Sequence, residues 1–228
     1  MVSVTQVADE HLVDAYLTAR NTVVRAGFAH ELDWQNDRDV ARISECDFLR
    51  ESAWVVLASG MSDLVVRRKF SAISAAFRWW QSSGSIMRYR NTCQNQAMRI
   101  FGHKGKINAI LTIASVVLEC GFQRIKERLA HDGVEFIRSL PYMGPATSLH
   151  LAKNIGLQTA KPDRHLCRLA QAAGYNSTEA LCRRVSEFVA DSVPVIDIVF
   201  WRYATLRRDY EHLFVVQKRS ITASGRRN

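Results

Sequence analysis

Asp163 follows Pro162 in the stretch Ala160-Lys161-Pro162-Asp163-Arg164-His165, and a helix-forming run comes after it. A carboxylate at a helix start can stabilise positive charge developing on a reacting carbon, and can orient or deprotonate an attacking water. Aspartate is also among the best N-caps, so local folding accounts for it equally well; the two roles are compatible. Upstream stands Leu140-Pro141-Tyr142-Met143-Gly144-Pro145-Ala146-Thr147, a turn between two amphipathic runs. Val134, Ile137 and Leu140 share one apolar face, and Leu149 with Ala152 begins the next. Gly144 is expected to adopt a backbone conformation that a Cβ would hinder. Pro145 suits the first turn of the second helix, where its missing N–H costs nothing. The amides there should point outward with the positive end of the helix dipole behind them, an arrangement that binds phosphate. An ordinary helix–turn–helix corner is the alternative reading of the same residues.

The elements that must hold these residues are helical. The sequence has 228 residues, 47% of them hydrophobic, with only four prolines and 11 glycines, and few runs alternate with period two. The periodicity predicts helices near 6–26, 38–59, 62–81, 91–101, 104–120, 121–130, 132–139, 145–155, 163–173, 178–190 and 194–212. Loops are expected at "FAHELDWQND" and "QSSGSIMRYRN", and the basic tail "KRSITASGRRN" is expected to fray. The fold class is all-α.

Lys and Arg total 31 against 22 acidic residues, a net charge of +9 that favours a polyanionic partner. The five cysteines (Cys46, Cys93, Cys120, Cys167, Cys182) are scattered, odd in number and without a C-x-x-C pair. They argue against a disulfide framework or a zinc or iron–sulfur site, and read as small buried hydrophobes in a reducing compartment. No signal peptide or membrane-length apolar run is present, so a cytoplasmic protein is expected.

Leu140, Pro141, Gly144 and Thr147, followed by Pro162-Asp163, resemble the signature of the helix-hairpin-helix (HhH-GPD) superfamily of DNA glycosylases: a hairpin L-P-x-x-G-x-x-T and then a catalytic aspartate. "LASGMSDLVVRRKF" (57–70) is similar to that family's L-S-x-Q-x-x-D segment, and "FGHKGKINAI" (101–110) to its G-x-x-x-x-K-A-x-x-I segment, so the resemblance covers roughly residues 54–170. It implies one unit over 1–228 in two lobes, with 56–162 forming a helical lobe that contains the hairpin. Residues 1–55 with 163–228 would form the second, and a flipped nucleotide would enter the cleft between them.

The resemblance implies an enzyme that extrudes a damaged or modified base from double-stranded DNA and hydrolyses its N-glycosidic bond, with Asp163 stabilising the oxocarbenium-like sugar and assisting water. Where bifunctional members carry a Schiff-base lysine in the hairpin helix, this chain has Ala146, which implies a monofunctional enzyme leaving an abasic site. Phosphate contacts are expected from the amides near Gly144, Ala146 and Thr147 and from Lys104, Lys106, Lys161 and Arg164, with Arg67, Arg68 and Lys69 as weaker candidates. His165 could meet a phosphate or cap its helix. Any of the cations could equally lie on a solvated face.

Trp54, Tyr142, Trp201 and Tyr203 could stack in a base pocket or belong to the core. Gly60 stands where relatives place a gap-filling Gln, and Tyr142 is bulkier than the usual hairpin Gly. No metal or organic cofactor is implied for the chemistry; a monovalent cation on the carbonyls of Arg138, Leu140 and Met143 is. A monomer is expected. The substrate stays open between an alkylated purine, as in DNA repair, and a bulky modified pyrimidine of phage DNA such as glucosylated hydroxymethylcytosine, as in antiviral defence. The alternative function is a non-catalytic DNA-binding module that keeps the hairpin for phosphate contact alone.

Overall fold

The computed structural model describes residues 4–214, and among these all regular structure is helical. The expected tail from Lys218 lies outside the described residues. α1 (Val4–Val23) runs through one widened turn to Gly27, whose φ of 88° redirects the chain into α2 (Ala29–Asn36). α2 replaces the loop expected in "FAHELDWQND": its composition is polar, but Leu32 and Gln35 lie three apart and bury one face. α3 (Glu45–Ala58) starts at Ser44, whose hydroxyl accepts the Asp47 amide at 3.0 Å.

α4 (Asp63–Ala76) stops short of its expected end because Arg78, Trp79 and Trp80 turn left-handed, with φ near +60° at each (57°, 56° and 61°). Such a run costs ~1–2 kcal/mol per residue. Burial of Trp80 against Phe77 offsets it, as does a 2.9 Å hydrogen bond from Trp80 Nε1 to Ser74. The second expected loop, "QSSGSIMRYRN", holds α5 (Ser83–Arg88), capped by Ser82 and anchored by Ile86. Then follow α6 (Arg90–Phe101), α7 (Lys104–Cys120), α8 (Phe122–His131), α9 (Val134–Arg138) and α10 (Pro145–Asn154). α11 (Arg164–Ala172), α12 (Thr178–Ser186) and α13 (Val193–Leu206) complete the chain's α-helices among the described residues.

Hydrophobic burial divides into two clusters. One contains Ile43 through Ile155 and is built by α3 to α10, around Phe48, Leu57, Trp80, Ile107 and Leu111. The other joins α1 and α2 to α11, α12 and α13, around Tyr16, Leu169, Cys182 and Phe200. The chain crosses between them just after α10, at Gly156, where φ is +97° and a Cβ would lie 2.7 Å from the backbone of Arg38 and Asp39. Only glycine fits that crossing. Of the cysteines, Cys93 and Cys182 are buried as expected, whereas Cys120 and Cys167 are exposed. No single described helix is long and apolar enough to cross a membrane.

Candidate active site and nucleic-acid interface

α9, a tight turn and α10 make the hairpin. Leu140 and Met143 are buried beneath it, and Thr147 locks it by donating its hydroxyl to the carbonyls of Tyr142 (2.8 Å) and Gly144 (3.2 Å). Gly144 itself has an ordinary extended backbone, φ −70° and ψ −176°, and a Cβ there would meet nothing nearer than Thr147 Oγ1 at 3.8 Å. The left-handed residue is Tyr142, with φ 65°. The strain expected at the glycine therefore sits two residues earlier, on a side chain that packs across to α7. Gly105 makes room for it: a Cβ at Gly105 would fall 2.6 Å from the Tyr142 hydroxyl.

The amides of Gly144, Ala146 and Thr147 find no acceptor among the described residues, and Gly144 to Ala146 are exposed. Lys104, exposed at the start of α7, lies on the neighbouring element that the Tyr142 contact brings to the hairpin. Three free amides at a helix start with a lysine alongside suit a DNA phosphate. Among the described residues nothing donates to the carbonyls of Arg138 and Met143, and that of Leu140 accepts one hydrogen bond, from Met143 N–H, so each retains a lone pair with which a monovalent cation could be held.

Gly144→Asp tests this face cleanly. Aspartate at an N-cap supports the helix, so the fold should be kept, while its charge opposes phosphate. Losing a charge-assisted contact worth ~1.5–3 kcal/mol should weaken binding to every duplex sequence about tenfold or more in a fluorescence titration. Unchanged affinity would remove the hairpin from the interface.

Lys106 corrects an expectation. It is buried, 3% exposed, and donates to the carbonyls of Leu57 (2.7 Å) and Ser59 at the end of α3. Burial pushes its pKa down. It holds the turn that carries Gly60, exposed with φ +66°, and does not reach a phosphate. The aromatics also disperse. Trp54 packs edge-on to Phe70 in the first cluster, beneath the Arg67 guanidinium. Trp201 packs on the second cluster, with Arg202 over its ring. Tyr203 is a buried member of that cluster, and Tyr142, 40% exposed, meets His103 at the start of α7 edge-on. Of the weaker cations, Arg67 pairs with Asp63 and Lys69 donates to Ile100 O, which leaves Arg68 exposed and without an ion-pair partner among the described residues.

Asp163 caps α11. Its Oδ1 accepts the amides of both His165 and Leu166 at 2.9 Å, and no described group donates to Oδ2. One oxygen serves the helix; the other has no donor among the described residues. The preceding loop is pinned by two carboxylates of the second cluster's helices. Glu179 on α12 accepts from Thr159 Oγ1 (2.9 Å) and Ala160 N–H (2.7 Å), and Asp197 on α13 accepts from Lys161 N–H at 2.7 Å. His165 is turned to the Tyr210 hydroxyl at 3.2 Å, a structural contact, while Arg164 is exposed.

Lys161, expected on the surface, is half-buried, and burial lowers its pKa. The charges acting on it are those of Lys153, Asp163, Asp197 and Asp63. His150, one turn before Lys153 on α10, is held neutral by desolvation and by the two lysines. Asp63 begins α4, so this small polar centre draws on both clusters.

His150, Lys153 and Asp197 did not figure among the sequence candidates. Asp197 carried a signal: it is the lone charge in the apolar run Val193–Trp201, where a carboxylate must have a buried partner. Comparison with protein-family models, curated proteins and solved structures returned no match.

Proposed function

We propose that this chain is a monofunctional DNA glycosylase of the helix-hairpin-helix type, acting as a monomer on double-stranded DNA. In this reading the two hydrophobic clusters are its two lobes, the first reaching from Ile43 to Ile155 where 56–162 was expected because α3 packs into it, and a flipped nucleotide enters between them. The hairpin amides and Lys104 hold the phosphodiester, and Arg164 adds an exposed cation beside the sugar. The observation that carries the reading is the divided use of Asp163: one oxygen is fixed by two amides and the other is left unpaired, on a loop tied down by Glu179 and Asp197. Any aspartate cap leaves its second oxygen to solvent; a cap alone does not need the loop before it to be tied at three consecutive residues by two buried or half-buried carboxylates. Ionised, Oδ2 would stabilise the oxocarbenium-like sugar and take a proton from the attacking water.

Ala146, the exposed residue at the hairpin position of a Schiff-base lysine, offers no amine, so water is the nucleophile. The product is expected to be an intact strand with an abasic site, broken only by alkali or heat, and borohydride should trap no protein–DNA adduct. A trapped adduct that vanishes in Lys161→Ala would replace the monofunctional reading with a lyase while keeping base excision.

A further inference from the structure

Among the described residues, the charged groups around the site pair off except for one oxygen of Asp163, the half-buried Lys161 and the exposed Arg164. Lys153 Nζ lies 2.5 Å from Asp197 Oδ1, and Arg67 Nε lies 2.6 Å from Asp63 Oδ2. Apart from exposed Arg164, what remains is one carboxylate oxygen, Asp163 Oδ2, and one ammonium, that of Lys161. Lys161 is half-buried along its side chain, and its ammonium, which keeps contact with solvent, is left without a protein partner among the described residues. Its backbone is nonetheless held in place by Asp197, and Pro162 stiffens the step to Asp163.

Two opposite charges, two residues apart, match the dipole that forms when an N-glycosidic bond breaks. The sugar gains positive charge as the base gains negative charge. A base already cationic from alkylation behaves otherwise: it leaves as a neutral molecule and would be repelled by an ammonium beside it. We infer that Lys161 is a second catalytic group, stabilising the departing base, and that the substrates are uncharged modified bases that leave as anions rather than cationic alkylated purines. The inference rests on the glycosylase reading and narrows it.

In the step so described, the C1′–N electron pair leaves with the base and the water oxygen bonds C1′. The water's proton passes to Asp163 and on to solvent, and the base nitrogen takes a proton from the Lys161 ammonium, which is replenished from solvent. Burial makes that proton easier to give. The sign follows: the protonated lysine is the active form, so excision falls as pH rises through a pKa lowered from the ordinary lysine range. Burial sets this pKa first, then the charges of Lys153, Asp163, Asp197 and Asp63; His150, neutral on the same helix as Lys153, adds no charge.

The test uses the full chain on two duplex DNAs, with released bases identified by mass spectrometry. One DNA is methylated with dimethyl sulfate and carries cationic 7-methylguanine and 3-methyladenine. The other carries uncharged glucosylated hydroxymethylcytosine, uracil and 8-oxoguanine. Release is expected from the second DNA, slowed ~10²-fold by Lys161→Met and less by Lys161→Arg, whose alkaline limb should move to higher pH. Release of the cationic bases as fast as the uncharged ones, or an unchanged rate in Lys161→Met, overturns the inference and leaves the glycosylase standing. No release from either DNA refutes the glycosylase reading, and the role of Lys161 with it.

Discussion

Asp163→Asn is expected to lower base release by ~10²-fold or more, the usual cost of removing a principal electrostatic stabiliser, while thermal stability hardly changes. The combination follows from how the two carboxylate oxygens are used. An asparagine oxygen can accept the amides of His165 and Leu166 as Oδ1 does now, and Asn caps a helix as well as Asp, so α11 keeps its start. Only the charge and the free Oδ2 are lost. Asp163→Ala, by contrast, should cost ~1 kcal/mol through the cap as well. Retention of more than about a tenth of the wild-type rate in Asp163→Asn would return Asp163 to a purely structural role and favour a DNA-binding module without catalysis. DNA affinity should be kept in the variant, because the hairpin amides and Lys104 are untouched.

How much of this was legible beforehand depends on the range of the interaction that decides each residue. The hairpin and the cap on α11 are local, written in Pro145 and in Asp163 two and three residues before its amide donors. The all-α class follows from periodicity alone. α2 and α5 were hidden because polar residues dominate them, and what fixes each is burial of one or two side chains against distant elements.

Lys106 shows the same limit for charge. A lysine at a helix start reads as a phosphate ligand, yet its acceptors are carbonyls 49 and 47 residues earlier in the chain. Lys161 reads as a surface cation because the residue that ties its amide, Asp197, lies 36 residues later. One expectation about conformation moved by a short step. The left-handed residue of the hairpin is Tyr142, tolerated because Gly105 on another helix leaves space for its ring.

The ion pair between Lys153 and Asp197 should govern both stability and activity. It joins α10 of the first cluster to α13 of the second, with side chains only 7% and 2% exposed. Lys153→Met would leave a buried carboxylate without its counter-ion, a loss of ~3–5 kcal/mol measurable by urea unfolding at neutral pH. Burial already pushes the Asp197 carboxyl up, against the pull of Lys153 and the Lys161 amide. Without Lys153 it rises further. The folded state then binds more protons than the unfolded one, so the variant gains stability relative to wild type as pH falls.

Lys153→Met combined with Asp197→Asn strands no charge and keeps an acceptor for Lys161 N–H, and it should recover most of the loss. Base release should fall in the single variant, because the stranded carboxylate would draw solvent or Lys161 itself, and the loop before Asp163 would shift with it. A single variant costing under ~1 kcal/mol, where a broken buried pair should cost several times that, would mean that water already reaches Asp197. In that case the two clusters are joined mainly by the Gly156 crossing and by the Gln35 side chain, which donates to Lys153 O at 2.9 Å.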